Sequence, residues 1–247
     1  MQIVAHRGNA RDCPENTLPA FRSALVLGVR HLELDVQLSS DGVPMVVHDA
    51  TLKRTTGLTG RVHDRTAAAL ATTEAAERRR FGNQHRGTTI PRLADILALL
   101  DGRPDVSLFV EMKAESLERF GLDRVVRCVV EAVAARRTQC VLISFDLAAI
   151  ARARHLGHPT IGWVLSDYRT RSRQAAEELQ PAFLFVNHKR LPRSGALWPG
   201  RWQWAVYEVD TLPLARSLAQ RGASLIETMA VAKMTKGLAA ADGRARP

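Results

Sequence analysis

The chain has 247 residues, a formal net charge of +10 from 35 Lys and Arg against 25 Asp and Glu, and only 5% aromatic residues. That length suits one large domain, because α/β barrels of this size stay undivided, and the positive balance favours anionic ligands. Scattered basic residues without helix-turn-helix, RNP or zinc-finger spacing exclude a nucleic-acid module of known pattern, and no apolar run approaches a membrane span.

Cys13, Cys128 and Cys140 form no CxxC pair and no even-numbered framework, which argues against disulfides and structural zinc and suits a reducing compartment. The run Met1-Gln2-Ile3-Val4-Ala5-His6 leaves no space for a signal peptide ahead of the first motif. A soluble, cytoplasmic protein without an integral membrane segment is the expectation.

Short β-rich runs alternate with amphipathic stretches along the chain, the pattern of parallel βα units. Strands are expected at residues 3–5, 32–36, 106–111, 140–144, 160–164, 183–186, 204–207 and 224–226. Helices are expected near residues 17–27, 93–100, 122–135, 147–156, 173–179, 213–221 and 231–240. Asn16 or Thr17 can cap the first helix, Asp146 the one from 147, and Asp210 or Thr211 the one near 213.

Eight such units argue for a closed (β/α)8 TIM barrel. An open doubly wound sheet lacks its usual support, since no GxGxxG follows the first strand. Residues 43–91 break the alternation with an extra strand at 43–47 and a polar, Ala- and Arg-rich stretch carrying a short helix around 73–80. That is too long for an ordinary βα loop and reads as a small insertion after the second strand, at the barrel mouth. No linker divides the chain, so residues 1–247 are expected to form a single domain.

In this fold, side chains at the C-terminal strand ends converge on the active site. His6, Glu33, Asp35 and Glu111 are placed there, and His48 ends the extra strand. Glu33 and Asp35, two apart on one strand, share a face. Carboxylate oxygens are hard ligands, so Glu33, Asp35 and Glu111 together suit one divalent cation, Mg2+ or Ca2+. Arg7 and Lys113 can hold the nonbridging oxygens of a phosphate. Two histidines, clustered carboxylates and these cations suit metal-assisted cleavage of a phosphate ester. Taken singly, a Glu-x-Lys pair is most often a surface ion pair and a strand-end His a structural residue; their coincidence at strand ends favours the functional reading.

The run Ala5-His6-Arg7-Gly8, then Pro14-Glu15-Asn16-Thr17, Glu33-Leu34-Asp35-Val36, Ser40-Asp41-Gly42-Val43-Pro44, His48-Asp49, Leu52-x-Arg54-Thr55-Thr56, Ile90-Pro91-x-Leu93, Glu111-Met112-Lys113 and Ser144-Phe145 follow one another in family order. On these motifs the chain resembles the glycerophosphodiester phosphodiesterases, over essentially its whole length. The resemblance implies a TIM barrel with an insertion after the second strand and a divalent cation on Glu33, Asp35 and Glu111. It also implies His6 and His48 as catalytic acid and base, with Arg7 and Lys113 as substrate-binding residues. His6 is read as base and His48 as acid.

The C-terminal third departs from the family pattern. Tyr207-Glu208-Val209-Asp210 stands where Trp-Thr-Val-Asn is usual, and Thr228-Met229 where Thr-Asp follows the eighth strand. Extra carboxylates there, with Glu227 nearby, would disfavour a second anionic group and favour a cationic or neutral leaving alcohol, provided they face the pocket. His188 is a further candidate for touching substrate.

The leading expectation is hydrolysis of small-molecule glycerophosphodiesters to glycerol 3-phosphate and an alcohol. An enzymatic alternative is lysophospholipase D-type action, with Trp163, Phe185 and Trp198 lining an acyl groove. A non-catalytic barrel binding phosphate or polyanions is the alternative of another class; it has no need of the His6 and His48 pair.

Overall fold

The computed structural model describes residues 1–241. Its centre is a closed parallel sheet: β1 (Gln2–His6), β2 (His31–Leu38), β4 (Ser107–Met112), β5 (Cys140–Ser144), β6 (Ile161–Leu165), β7 (Phe183–Asn187), β8 (Gln203–Tyr207) and β9 (Ala223–Thr228), with β1 bonded to both β9 and β2. A ninth strand, β3 (Pro44–Val46), lies antiparallel on β2. All eight expected barrel strands are present, and the sheet closes as a TIM barrel.

Alternation along each strand decides what faces where. Leu32, Leu34 and Val36 of β2, with Leu108, Val110 and Met112 of β4, join the outer core against helical residues such as Phe21, Ala24, Val125 and Val129. Their odd-numbered neighbours point inward. Val4, Phe109, Val141, Ile143, Val164, Phe185, Ala205 and Leu225 fill the barrel interior. Phe109 meets Phe183 and Phe185 edge-on at 5.0 and 5.1 Å, a packing that aromatic quadrupoles favour. This plug forms the floor of the site above it.

The helices follow the expected order with shifted ends. Residues 93–100 divide into an α-helix at Leu93–Leu97 and a 3-10 turn at Ala98–Leu100, and a helix at Ala114–Phe120, not anticipated from sequence, precedes Leu122–Ala132. Asp146 caps its helix, accepting from the backbone N–H groups of Ala148 and Ala149. The other two caps differ. Thr17 and Thr211 occupy the N-cap positions without side-chain cap bonds; Thr17 Oγ1 donates instead to the Pro14 carbonyl, and Asp210, the alternative cap, accepts from Thr228 Oγ1.

The insertion has its own small core of Met45, Val47, Leu52, Val62, Leu70 and Ile90. The helix expected around residues 73–80 is displaced to Arg78–Phe81. Glu74 instead pairs as a β-bridge with Thr89, and Glu77 takes a left-handed φ of 44° just before the helix. A backbone pairing across the insertion overrides the local helical composition.

Gly8, at φ +78°, lets the loop after β1 press against the first helix (Leu18–Val26): a Cβ there would lie 2.7 Å from the Ala20 carbonyl carbon. Gly8→Ala should therefore lose about 3 kcal/mol of stability from left-handed strain and overpacking combined. A urea midpoint unchanged from wild type would show that this loop is not pinned.

Candidate active site

Strand register brings the candidate residues to one level. His6 of β1 stands beside Glu33 of β2, Asp35 of β2 beside Glu111 of β4, and Glu227 of β9 beside Val4 of β1. His6, Glu33, Glu111 and Glu227, with Arg7, His48, Lys113, Ile143, Phe145, Val164, Phe185, Tyr207 and Glu208, line a cleft of about 530 Å³ open to solvent, and Asp35 lies buried behind them. His6, Arg7, Glu33, Asp35, His48, Glu111 and Lys113, all singled out in the sequence, thus gather in one region. His188 is not among the lining residues.

Arg7 organises the carboxylates. Its backbone, at φ 55°, turns its N–H onto Glu33 Oε2 at 3.0 Å. Its guanidinium donates to Glu15 Oε1 at 3.0 Å and places Nε 3.0 Å from Asp35 Oδ2. Asn16, at φ 57°, grips Asp35 from the other side, donating through Nδ2 at 2.9 Å and accepting the Asp35 backbone N–H at 3.3 Å. Lys113 Nζ completes the set, 2.8 Å from Glu111 Oε1 and 3.3 Å from Asp35 Oδ1.

Burial and charge separate the protonation states. Burial tends to raise the Asp35 carboxyl, but Arg7 and Lys113 outweigh it and hold it well below the usual range. Glu33 and Glu227 are pushed well up, first by burial and then by neighbouring carboxylates. His6 is brought down to about 3 by burial and by Arg7, so its ring is neutral near pH 7. Its Nε2 lies 3.3 Å from Glu227 Oε1 and 3.9 Å from Glu33 Oε2.

His48 reaches the cleft from the insertion. Its Nδ1 contacts Asp49 Oδ1 at 2.6 Å, and its carbonyl accepts from Gln37 Nε2 at 3.0 Å. Gln37 is fully buried and is held in turn by Ser116 Oγ at 2.6 Å and His63 Nε2 at 3.0 Å. The Asp49 contact favours the tautomer with the proton on Nδ1, and among the described residues no hydrogen bond engages Nε2.

Ligand oxygens of Glu33, Asp35 and Glu111 lie within 4.8 Å of one another, and Glu33 Oε1 is buried without a hydrogen-bond partner. Hard donors at that spacing, one of them unsatisfied, fit a divalent cation.

A model of the glycerophosphoryl diester phosphodiesterase family matches residues 6–228, which include every one of these side chains. The chain belongs to that family. Among curated relatives, a glycerophosphodiester phosphodiesterase of Caldanaerobacter subterraneus is 39% identical over 45% of this chain and 45% of its own length. Human glycerophosphodiester phosphodiesterase 1 is 41% identical over 40% of this chain and 30% of its own. The alignment thus spans less than half of each of these relatives. Among solved structures, an Oleispira antarctica phosphodiesterase in complex with the product sn-glycerol-3-phosphate superposes with a TM-score of 0.83 at 23% identity, covering 96% of each chain. The glycerophosphodiester phosphodiesterase of Agrobacterium tumefaciens gives 0.75 at 24%, covering 96% of this chain and 99% of that one. These two likenesses are likenesses of fold.

Family motifs that sequence reading left without a role prove to be the scaffold. Glu15 accepts from both Arg7 and Arg54, and Arg54 forks again onto Asp49 through Nε at 2.7 Å and Nη2 at 3.0 Å. One chain of charges therefore links Arg7, next to His6, with Asp49, next to His48. Burial would raise the Asp49 carboxyl; hydrogen bonds from Arg54 and His48 outweigh it and bring it down to about 2.

Arg54→Ala removes four charge-assisted hydrogen bonds and leaves Glu15 with one cation, a loss on the order of 2–3 kcal/mol. Because the folded Asp49 pKa is depressed, the stability it contributes is present above its unfolded value near 3.9 and fades as pH falls toward 2. The wild-type advantage over Arg54→Ala should shrink across that window; a difference independent of pH from 5 to about 2 would place the loss elsewhere.

Proposed function

We propose that this chain, acting as one domain, hydrolyses glycerophosphodiesters to glycerol 3-phosphate and an alcohol, with His6 and His48 exchanging protons. The observation that carries the reading is the meeting of two differently held imidazoles over one carboxylate triad: His6 buried and neutral on β1, His48 tied to Asp49 on the insertion. Family membership and the sn-glycerol-3-phosphate bound by the Oleispira protein support it.

Glu33, Asp35 and Glu111 would hold one divalent cation, Mg2+ or Ca2+, which when bound neutralises charge on the phosphoryl oxygens. Arg7 and Lys113 line the same wall and would orient the phosphate. His6 Nε2, neutral, accepts the proton of the attacking hydroxyl, from glycerol itself or from water. His48 Nε2 donates to the leaving oxygen, with Asp49 holding the ring through Nδ1.

Of the unusual C-terminal carboxylates, Glu208 lines the cleft, while Asp210 is bonded to Thr228 Oγ1 and is not among the lining residues. Glu208, which is exposed and shares its charge with Lys189 Nζ at 3.7 Å, lies beside Tyr207 and suits a cationic or neutral alcohol such as ethanolamine or choline over an anionic one. For a lysophospholipid, only Phe185 of the three expected groove residues lines the cleft. Trp163 donates to the Phe145 carbonyl, and Trp198 stacks on Tyr168 at 3.8 Å. The small-molecule substrate is therefore the stronger reading.

Three free cysteines, Cys13, Cys128 and Cys140, support a reducing cytoplasmic setting. Among the described residues no helix is long and apolar enough to cross a membrane.

Purified protein should release alcohol from glycerophosphocholine with Mg2+ or Ca2+ and stop on chelation. No metal-dependent release from any glycerophosphodiester would overturn the reading in favour of a binding barrel. His6→Ala and His48→Ala should each reduce kcat by about 10²–10⁴, with melting curves to verify the fold; a near-normal rate removes that residue from proton transfer. Glu111→Gln should weaken cation affinity in calorimetry, and unchanged affinity would mean the ligand set is wrong.

A further inference from the structure

The carboxylates in the cleft are unequally neutralised. Asp35 faces Arg7 Nε at 3.0 Å and Lys113 Nζ at 3.3 Å, and Glu111 faces Lys113 Nζ at 2.8 Å. Glu33, 1% exposed, receives the Arg7 backbone N–H on Oε2, and Glu227, 3% exposed, has His6 Nε2 at 3.3 Å. Neither carboxylate has a Lys or Arg side chain in salt-bridge contact among the described residues. Glu33 Oε1 and His6 Nδ1 are both buried without a hydrogen-bond partner. A pair of buried acids with so little compensation is costly in ionised form, a cost relieved by taking up protons or by a cation that joins them.

We propose that His6, Glu33 and Glu227 form a second divalent-cation position, distinct from the Glu33, Asp35 and Glu111 position and sharing Glu33 with it. The donor atoms of His6, Glu33 and Glu227 lie within 4.8 Å of one another, with His6 Nε2 at 3.3 Å from Glu227 and 3.9 Å from Glu33. Adjacent donors around an ion at about 2.1 Å stand roughly 3.0–3.4 Å apart, so small side-chain rotations complete the site. Glu33 meets His6 through Oε2, which leaves its unsatisfied Oε1 for the other position.

The strand register builds this arrangement. Glu227 pairs with Val4 and faces the cleft, whereas Thr228, one residue on, turns away to bond Asp210. Glu227 lies on β9, the last strand of the barrel, beside β1, which carries His6. An imidazole nitrogen with two carboxylates selects Mn2+ or Zn2+ over Ca2+. Occupation takes the Nε2 lone pair of His6. If the proton-transfer role proposed above holds, the second cation is inhibitory; its binding does not depend on that role.

The test uses the full chain with Mn2+ alone in equilibrium dialysis. Wild type should bind two ions per chain, and Glu227→Gln and Glu111→Gln one each. Zn2+ added to 15N-histidine-labelled protein should shift His6 Nε2 in wild type and leave it unshifted in Glu227→Gln. Gln preserves the volume of Glu227; melting curves verify the fold, and Glu227→Thr serves as a second variant. Stoichiometry unchanged by both substitutions at 227, or an unshifted His6 in wild type, overturns the position. Stoichiometry unchanged by Glu111→Gln alone counts instead against the first cation site and leaves this one standing.

Discussion

Four carboxylates, Glu33, Asp35, Glu111 and Glu227, cluster around one cleft at the rim of an apolar barrel, and the structure around them is organised by the need to compensate their charge. Arg7 is the pivot. It touches Glu33 through its backbone and Glu15 and Asp35 through its guanidinium. To do so it adopts φ 55°, and Asn16 adopts φ 57° to grip Asp35 from behind. Each left-handed residue costs roughly 1–2 kcal/mol, less than a hydrogen bond to a buried charge can return at about 1.5–3 kcal/mol. Strain in the first loop is thus the consequence of charge inside the barrel.

Register is what makes that compensation possible. A strand slipped by one residue would turn Glu33 and Asp35 into the helix layer and Leu32 and Leu34 into the cleft. The outer core of Leu32, Leu34, Val36, Leu108 and Val110 opposes such a slip along its whole length. Apolar packing outside therefore holds the ionic geometry inside, and the Phe109 plug beneath it limits water access from below.

How much of this was legible in the sequence depended on the range of the interaction. The alternation His31-Leu32-Glu33-Leu34-Asp35-Val36 states locally that both acids share a face, and the eight strands repeat that local signal. Asn16 looked like a helix cap because it precedes a helix, yet its side chain is committed to Asp35, nineteen residues on. The Glu15–Arg54–Asp49 connection joins residues 39 apart and has no periodic signature. Glu227 was ambiguous because the strand was expected to end at residue 226, and whether 227 or 228 faces the cleft is settled by pairing with β1. Side chains whose direction follows from their own strand were readable; those whose partner lies on another element were not.

The placement of His48 explains why the insertion is packed as it is. His6 belongs to the closed sheet, whereas His48 follows a three-residue strand with only β2 as its barrel partner. An imidazole so mounted would wander on the scale of the loop that carries it, too loosely for the proton transfer proposed for it. Three attachments restrain it: the Val47 N–H donates to the Asp35 carbonyl, Gln37 holds the His48 carbonyl, and Arg54 ties Asp49 to Glu15. Two of these anchors, Asp35 and Gln37, lie on the inward face of β2 with Glu33. The strand that presents the carboxylates therefore also fixes the second histidine, so the spacing between the two imidazoles is set by the barrel.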